Sequence, residues 1–176
     1  RMIRSTRNYD PAFPQNDENE FNIVTDYSYD EVGNQIAVTD TYGRTTTYEY
    51  DDANRLVHAT DLEGNFTTNT YDVAGNLIAM TDALGRTTTY AYDELNRQVS
   101  TTDALGNTTT TAYNSDGTVA SSTDSLGRTA SYTYDDLKRV TVTTDALGGD
   151  AMTAYDEAGA VVATSEDASI LKTNFW

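Results

Sequence analysis

Carboxylates and tyrosines at fixed spacing are the residues of this sequence that could do chemistry. A Tyr-Asp step stands at Tyr29-Asp30, Tyr50-Asp51, Tyr71-Asp72, Tyr92-Asp93, Tyr134-Asp135 and Tyr155-Asp156, with Tyr113-Asn114 in the remaining slot of a 21-residue period. A second row, Asp-x-x-Gly, runs through Asp40/Gly43, Asp61/Gly64, Asp82/Gly85, Asp103/Gly106, Asp124/Gly127 and Asp145/Gly148. Stacked aspartates offer oxygen ligands to a hard cation such as Ca²⁺. An Asp at the first position of a turn already has a use, however, because it accepts the amide hydrogens ahead of it. Equivalent turns also lie about 9.6 Å apart, two strand spacings, which is too far for neighbours to share one ion. The tyrosines offer apolar area with a polar tip, suited to stacking on a sugar or a polypeptide. Cross-strand aromatic contacts in a core-poor sheet explain them more simply. His58 is the only histidine and has no repeated acid or nucleophile beside it, while Ser121 and Ser122 lack a base. The expectation is therefore no catalytic residue, no cofactor and no metal site, in a chain that is not an enzyme.

The elements that must position these rows are short strands. Thr45 to Tyr50 is rich in β-branched and aromatic residues and places Thr46, Tyr48 and Tyr50 on one face. Asp51 to Asn54 reads as a turn, Arg55 to Thr60 as the return strand, and Asp61 to Gly64 as the second turn. In each type I turn the Asp bonds amides ahead of it, and the Gly at the fourth position takes positive φ to close a bulged hairpin. Gly33, Gly75, Gly117 and Gly159 hold that place in the Tyr-Asp turns, with Asn54 and Asn96 in alternate units, and asparagine tolerates positive φ. Lys138 breaks this rule, so a strained or differently shaped turn is expected there. Arg55, Arg97 and Arg139 alternate with Asn34, Asn76 and Thr118, making a longer period of four strands. On the return strands the apolar face looks inconsistent, since Ile36, Val38, Ile78 and Met80 point one way and Val140 and Val142 the other.

Composition sets the class. The 176 residues contain 28 acidic and 11 basic side chains, a formal net charge of −17, no cysteine and 13 tyrosines. Few aliphatic residues and high charge suggest disorder, but Tyr and Thr are strand formers, and repeats that cover one another tolerate a thin apolar layer. The acidity argues against nucleic acid and anionic membranes as partners. No apolar run has the length of a membrane-spanning helix, and missing cysteines exclude disulfides and zinc–thiolate sites. The expected organisation is an irregular connector or cap over 1–21, seven repeats over 22–168, and an irregular segment over 169–176. The Arg1 start and abrupt end lead us to expect a segment of something longer.

The Tyr-x-Tyr-Asp-x-x-Asn-Arg text at Tyr48 to Arg55 and Tyr90 to Arg97, Tyr-Asp-x-x-Gly-Asn at Tyr29 and Tyr71, and Thr81 to Tyr90 resemble the YD-repeat, or Rhs-repeat, family. The resemblance covers residues from about 22 to 168. It implies an all-β fold: a repetitive antiparallel hairpin ribbon curling as part of a β-shell or spiral, as in bacterial Rhs toxins, toxin-complex shells and teneurin ectodomains. It further implies a non-catalytic, secreted or cell-surface segment of a wall enclosing a toxin or other effector polypeptide. Partners would be further repeats of a longer parent chain or other copies of this chain. The family's Asp-Pro-x-Gly autoproteolysis text has no counterpart in the repeats, which read Asp-Ala-Leu-Gly. Seven units advance a ribbon by roughly 70 Å, a ring only about 20 Å across, narrower than a folded cargo of about 13 Å radius of gyration. This chain alone would therefore supply one patch of such a wall. The alternative is an extracellular adhesion or assembly module, a filament or wall of the same repeats.

Overall fold

The computed structural model describes residues 1–7 and 23–165. Fifteen strands follow one another: β1 (Met2–Arg7), β2 (Ile23–Tyr29), β3 (Gln35–Thr39), β4 (Thr45–Tyr50), β5 (Leu56–Thr60), β6 (Phe66–Tyr71), β7 (Leu77–Thr81) and β8 (Thr87–Tyr92). The series continues with β9 (Gln98–Thr102), β10 (Thr108–Tyr113), β11 (Val119–Thr123), β12 (Thr129–Tyr134), β13 (Val140–Thr144), β14 (Asp150–Tyr155) and β15 (Val161–Ser165). They form one open antiparallel sheet in sequence order. The chain divides into two compact units, Arg1–Thr88 and Thr89–Trp176. Among the described residues no side chain is fully enclosed, so stability rests on the ladder and on contacts between neighbouring hairpins.

β1 differs from the sequence reading. Met2–Arg7 belong to the stretch read as irregular, yet they pair with Ser28–Ile23 along six residues. The strand lies off the 21-residue register, so a search for the period passes over it. The expected C-terminal segment, 169–176, lies outside the described residues.

Both kinds of turn close in the same way. In the first kind Gly43 donates its amide to the Asp40 carbonyl at 3.0 Å and Asp40 to the Arg44 carbonyl at 2.9 Å. In the second kind Asn54 donates to Asp51 and Asp51 to Arg55. The fourth residue has positive φ throughout, from Gly85 at 75° to Asn54 at 60° and Asn96 at 59°. Lys138 corrects one expectation: its turn has the common shape, with φ 61° and the usual bonds from Lys138 to Asp135 and from Asp135 to Arg139. The left-handed region costs lysine some strain, and its Nζ donates to the Asp116 carbonyl at 2.6 Å.

The two hairpin types differ in register. The Asp-x-x-Gly hairpins pair evenly, as in Ala37↔Thr47, Val38↔Thr46 and Thr39↔Thr45. In the Tyr-Asp hairpins the register slips by one residue: Glu49 faces His58, but Tyr50 faces Leu56, leaving Val57 as a bulge. The same slip sets aside Ile36, Ile78, Ala120, Thr141 and Val162. This resolves the apparent opposition of Met80 and Val140, while Val142 faces Thr133 on the other side of the sheet. Val140 faces Tyr134, and Met80 faces Asn69, on the tyrosine side of the sheet, because across a bulge same-side residues stand three apart rather than two.

Candidate functional site

The repeated side chains gather at the two turn edges of the ribbon. At most of the turns the Asp side chain works twice. Asp51 Oδ1 accepts the amides of Ala53 and Arg55, each at 2.9 Å, and Oδ2 accepts Arg55 Nε at 2.7 Å. Asp72 and Asp103 take the same pair of bonds from Asn76 and Asn107. For Asp51, Asp72, Asp82, Asp93, Asp103 and Asp124 the partner side chain first, and the partner amide second, hold the carboxyl below the usual carboxylate range. A carboxylate whose oxygens are already engaged by its own turn makes a poor cation ligand, and the described residues contain no cluster able to hold a metal ion.

The edges differ in what the arginines reach. On the Tyr-Asp edge Arg55 Nη1 donates to the Asp72 carbonyl at 3.3 Å, and its guanidinium lies 4.5 Å over the Tyr71 ring. Arg97 repeats this on Asn114 and Tyr113, and Arg139 on Asp156 and Tyr155. Each of these arginines ties its own turn to the next hairpin. Their side chains are 26–31 % exposed, whereas Arg44, Arg86 and Arg128 on the other edge are 55–66 % exposed and pair with their own Asp. The intervening links on the Tyr-Asp edge use different groups: Asn34 Nδ2 donates to Asn54 Oδ1 at 2.8 Å, and Lys138 reaches back to Asp116. The alternation of these links matches the four-strand period. A turn with Arg last is followed by one with Gly at the positive-φ place.

The tyrosine of the Tyr-Asp step has a specific task. Successive hairpins pair through only three residues, such as Ser121↔Ser131 to Thr123↔Thr129, and the ladder stops short of the bulge. Tyr134 crosses this gap, donating its hydroxyl to the Val119 carbonyl at 2.9 Å. Tyr50, Tyr71, Tyr113 and Tyr155 do the same to Gln35, Leu56, Gln98 and Val140 at 3.0–3.1 Å. Beside the Asp-x-x-Gly turns, facing hydroxyls bond each other, as Thr81 to Thr87 and Thr123 to Thr129, both at 2.8 Å. At Thr60 the partner is Phe66, and His58 stacks on that ring at 5.0 Å. The threonine clasps and the tyrosine hydroxyl bonds were not read from the sequence, although their 21-residue recurrence was there to see.

Of the residues singled out in the sequence, Asp30, Asp82, Asp93, Asp124 and Asp135 each bond their own turn. Gly33, Gly75, Gly106 and Gly127 take the positive φ those turns need, as Gly85 does. Asp156 caps Ala160, and Tyr29 and Tyr92 end β2 and β8. Together these residues build the turn edges of the sheet.

A family model described as RHS Repeat matches residues 29–65, 71–108 and 113–150. Among curated protein sequences none matches. Among solved structures, a crystal structure of TcdB2-TccC3-TEV superposes with a TM-score of 0.64 at 17 % identity, covering 84 % of this chain and 9 % of that one. A Photorhabdus luminescens Tc holotoxin pore structure gives a TM-score of 0.64 at 17 % identity, covering 81 % of this chain and 9 % of that one. At this identity the likeness is one of fold, and the present chain spans under a tenth of either relative.

Proposed function

This chain belongs to the RHS repeat family, and from that membership we propose that it is a non-catalytic patch of a β-ribbon wall enclosing a toxin or other effector polypeptide. The observation that carries the reading is a sheet of hairpins tied to one another at alternate turns by Arg–Asp–Tyr links, with no enclosed core among the described residues. Such a sheet is extended by adding repeats, each covering its neighbour. The fold likeness to parts of a Tc holotoxin supports the toxin setting. In this reading residues 1–21 serve as connector or cap, 22–168 as wall and 169–176 as an irregular segment, in a secreted or cell-surface particle. Its partners are further repeats of a longer chain, or other copies of this one, and the enclosed polypeptide.

The test uses the natural full-length protein that carries these repeats. Under native conditions a second polypeptide stretch should resist added protease and become cleavable once the particle is opened with mild denaturant. Cleavage of every non-repeat segment at the same rate before and after opening overturns the reading.

A further inference from the structure

One Asp-x-x-Gly turn of the second unit lacks a part that the others possess. Asp40, Asp61, Asp82, Asp103 and Asp124 each receive a side-chain donor on Oδ2 from the residue four places on: Arg44, Asn65, Arg86, Asn107 and Arg128. At the sixth turn that place is Gly149. Asp145 Oδ1 still caps the turn, accepting the amides of Leu147 at 2.9 Å and Gly149 at 2.8 Å. Among the described residues its Oδ2 has no side-chain donor, and the carboxylate leans over the bare glycine, where a Cβ would meet Oδ2 at 3.1 Å. The adjacent guanidinium cannot compensate, because Arg128 Nε and Nη2 both lie 2.6 Å from Asp124 Oδ2. Asp156 also lacks a side-chain donor, with Ala160 four places on, but the Arg139 guanidinium already sits on its carbonyl.

A groove of about 690 Å³ opens beside this gap, between the Asp124 and Asp145 turns, lined by Ala130, Arg128, Asp145, Ala146 and Leu147 among others. Leu147 is 96 % exposed and Ala146 is exposed beside it. A carboxylate next to apolar side chains in a groove fits a long cationic side chain, whose methylenes lie on the apolar wall while its head takes the charge. The formal net charge of −17 draws the same class of partner.

We propose that this groove receives an arginine side chain from a basic segment of a partner polypeptide, which supplies to Asp145 Oδ2 the donor that Arg or Asn supplies at the other turns. The proposal goes beyond the wall reading and stands or falls separately, since it concerns one groove of the isolated chain. The test is a titration of the ¹⁵N-labelled chain with acetyl-tetra-arginine amide, followed by amide shifts. The largest saturable shifts should fall at Ala130, Asp145, Ala146 and Leu147. Gly149→Asn restores an internal donor, and Asp145→Asn removes the charge while leaving an oxygen for the turn; each should weaken binding about fivefold, the scale of one exposed ion pair. Asp61→Asn, which changes net charge equally, should leave affinity unaltered. Shifts spread over all the turns, or equal weakening by Asp61→Asn and Asp145→Asn, overturn the proposal, as does unchanged binding in Gly149→Asn.

Discussion

Arg97 and Arg128 carry the same local pair with an aspartate and differ in what the remaining nitrogen finds. Arg97 adds the Asn114 carbonyl and the Tyr113 ring, whereas Arg128 is 66 % exposed and bonds only its own Asp124. Arg97→Ala should therefore cost about 1–2 kcal/mol, combining a lost hydrogen bond and a cation–π contact. Arg128→Ala should cost no more than about 0.5 kcal/mol, as for an exposed pair. Denaturation midpoints of the two variants check this, and equal losses would remove the distinction between the edges. The capped carboxylates set the acid response. The folded values of Asp51, Asp72, Asp82, Asp93, Asp103 and Asp124 lie below the unfolded value of about 3.9, so the unfolded chain takes up protons first and these caps' contribution, complete above about pH 4, is lost as pH falls further. Relief of self-repulsion acts in the opposite direction at higher pH. The melting midpoint should hold or rise from pH 7 to about 4.5 and drop below about pH 4; a midpoint still rising at pH 3 would contradict the capping role. The capping aspartates and positive-φ glycines were legible in the sequence because turn chemistry is local. The reach of Arg97 to a residue 17 places on was visible only as an unexplained alternation.

At the scale of the hairpin, the tyrosine hydroxyl bridges a gap that the ladder leaves open. Tyr134→Phe keeps the ring and removes the bond to Val119, and it should cost about 1 kcal/mol. The loss should appear as faster hydrogen exchange in β11 and β12, with β14 and β15 unaffected. Uniform acceleration through the second unit would show that the bond does not act between neighbouring hairpins. Strand positions followed from Thr and Tyr content, and Thr45–Tyr50 was read to the residue. The bulges were not, because a simple alternation assumes one residue per step on each strand. A residue such as Val57 that steps out of the ladder shifts every later side chain, which is why Met80 and Val140 appeared to oppose each other. β1 was missed for a related reason: Met2–Arg7 has no Tyr-Asp partner in register, and its pairing with β2 is tertiary information.

For the whole molecule, a sheet of hairpin repeats with no enclosed side chain among the described residues gains stability by adding neighbours, and its 21-residue period made the repeat architecture legible. The contents proposed for such a wall could not be read in this way, because a wall carries little of its contents in its own residues. The most direct test of the wall reading is the mass and low-resolution shape of the native particle that contains this chain. A hollow body built from one long polypeptide around a second polypeptide stretch is the predicted result. Many copies of a short chain in an extended array would contradict it and would assign these repeats to a filament or adhesive surface.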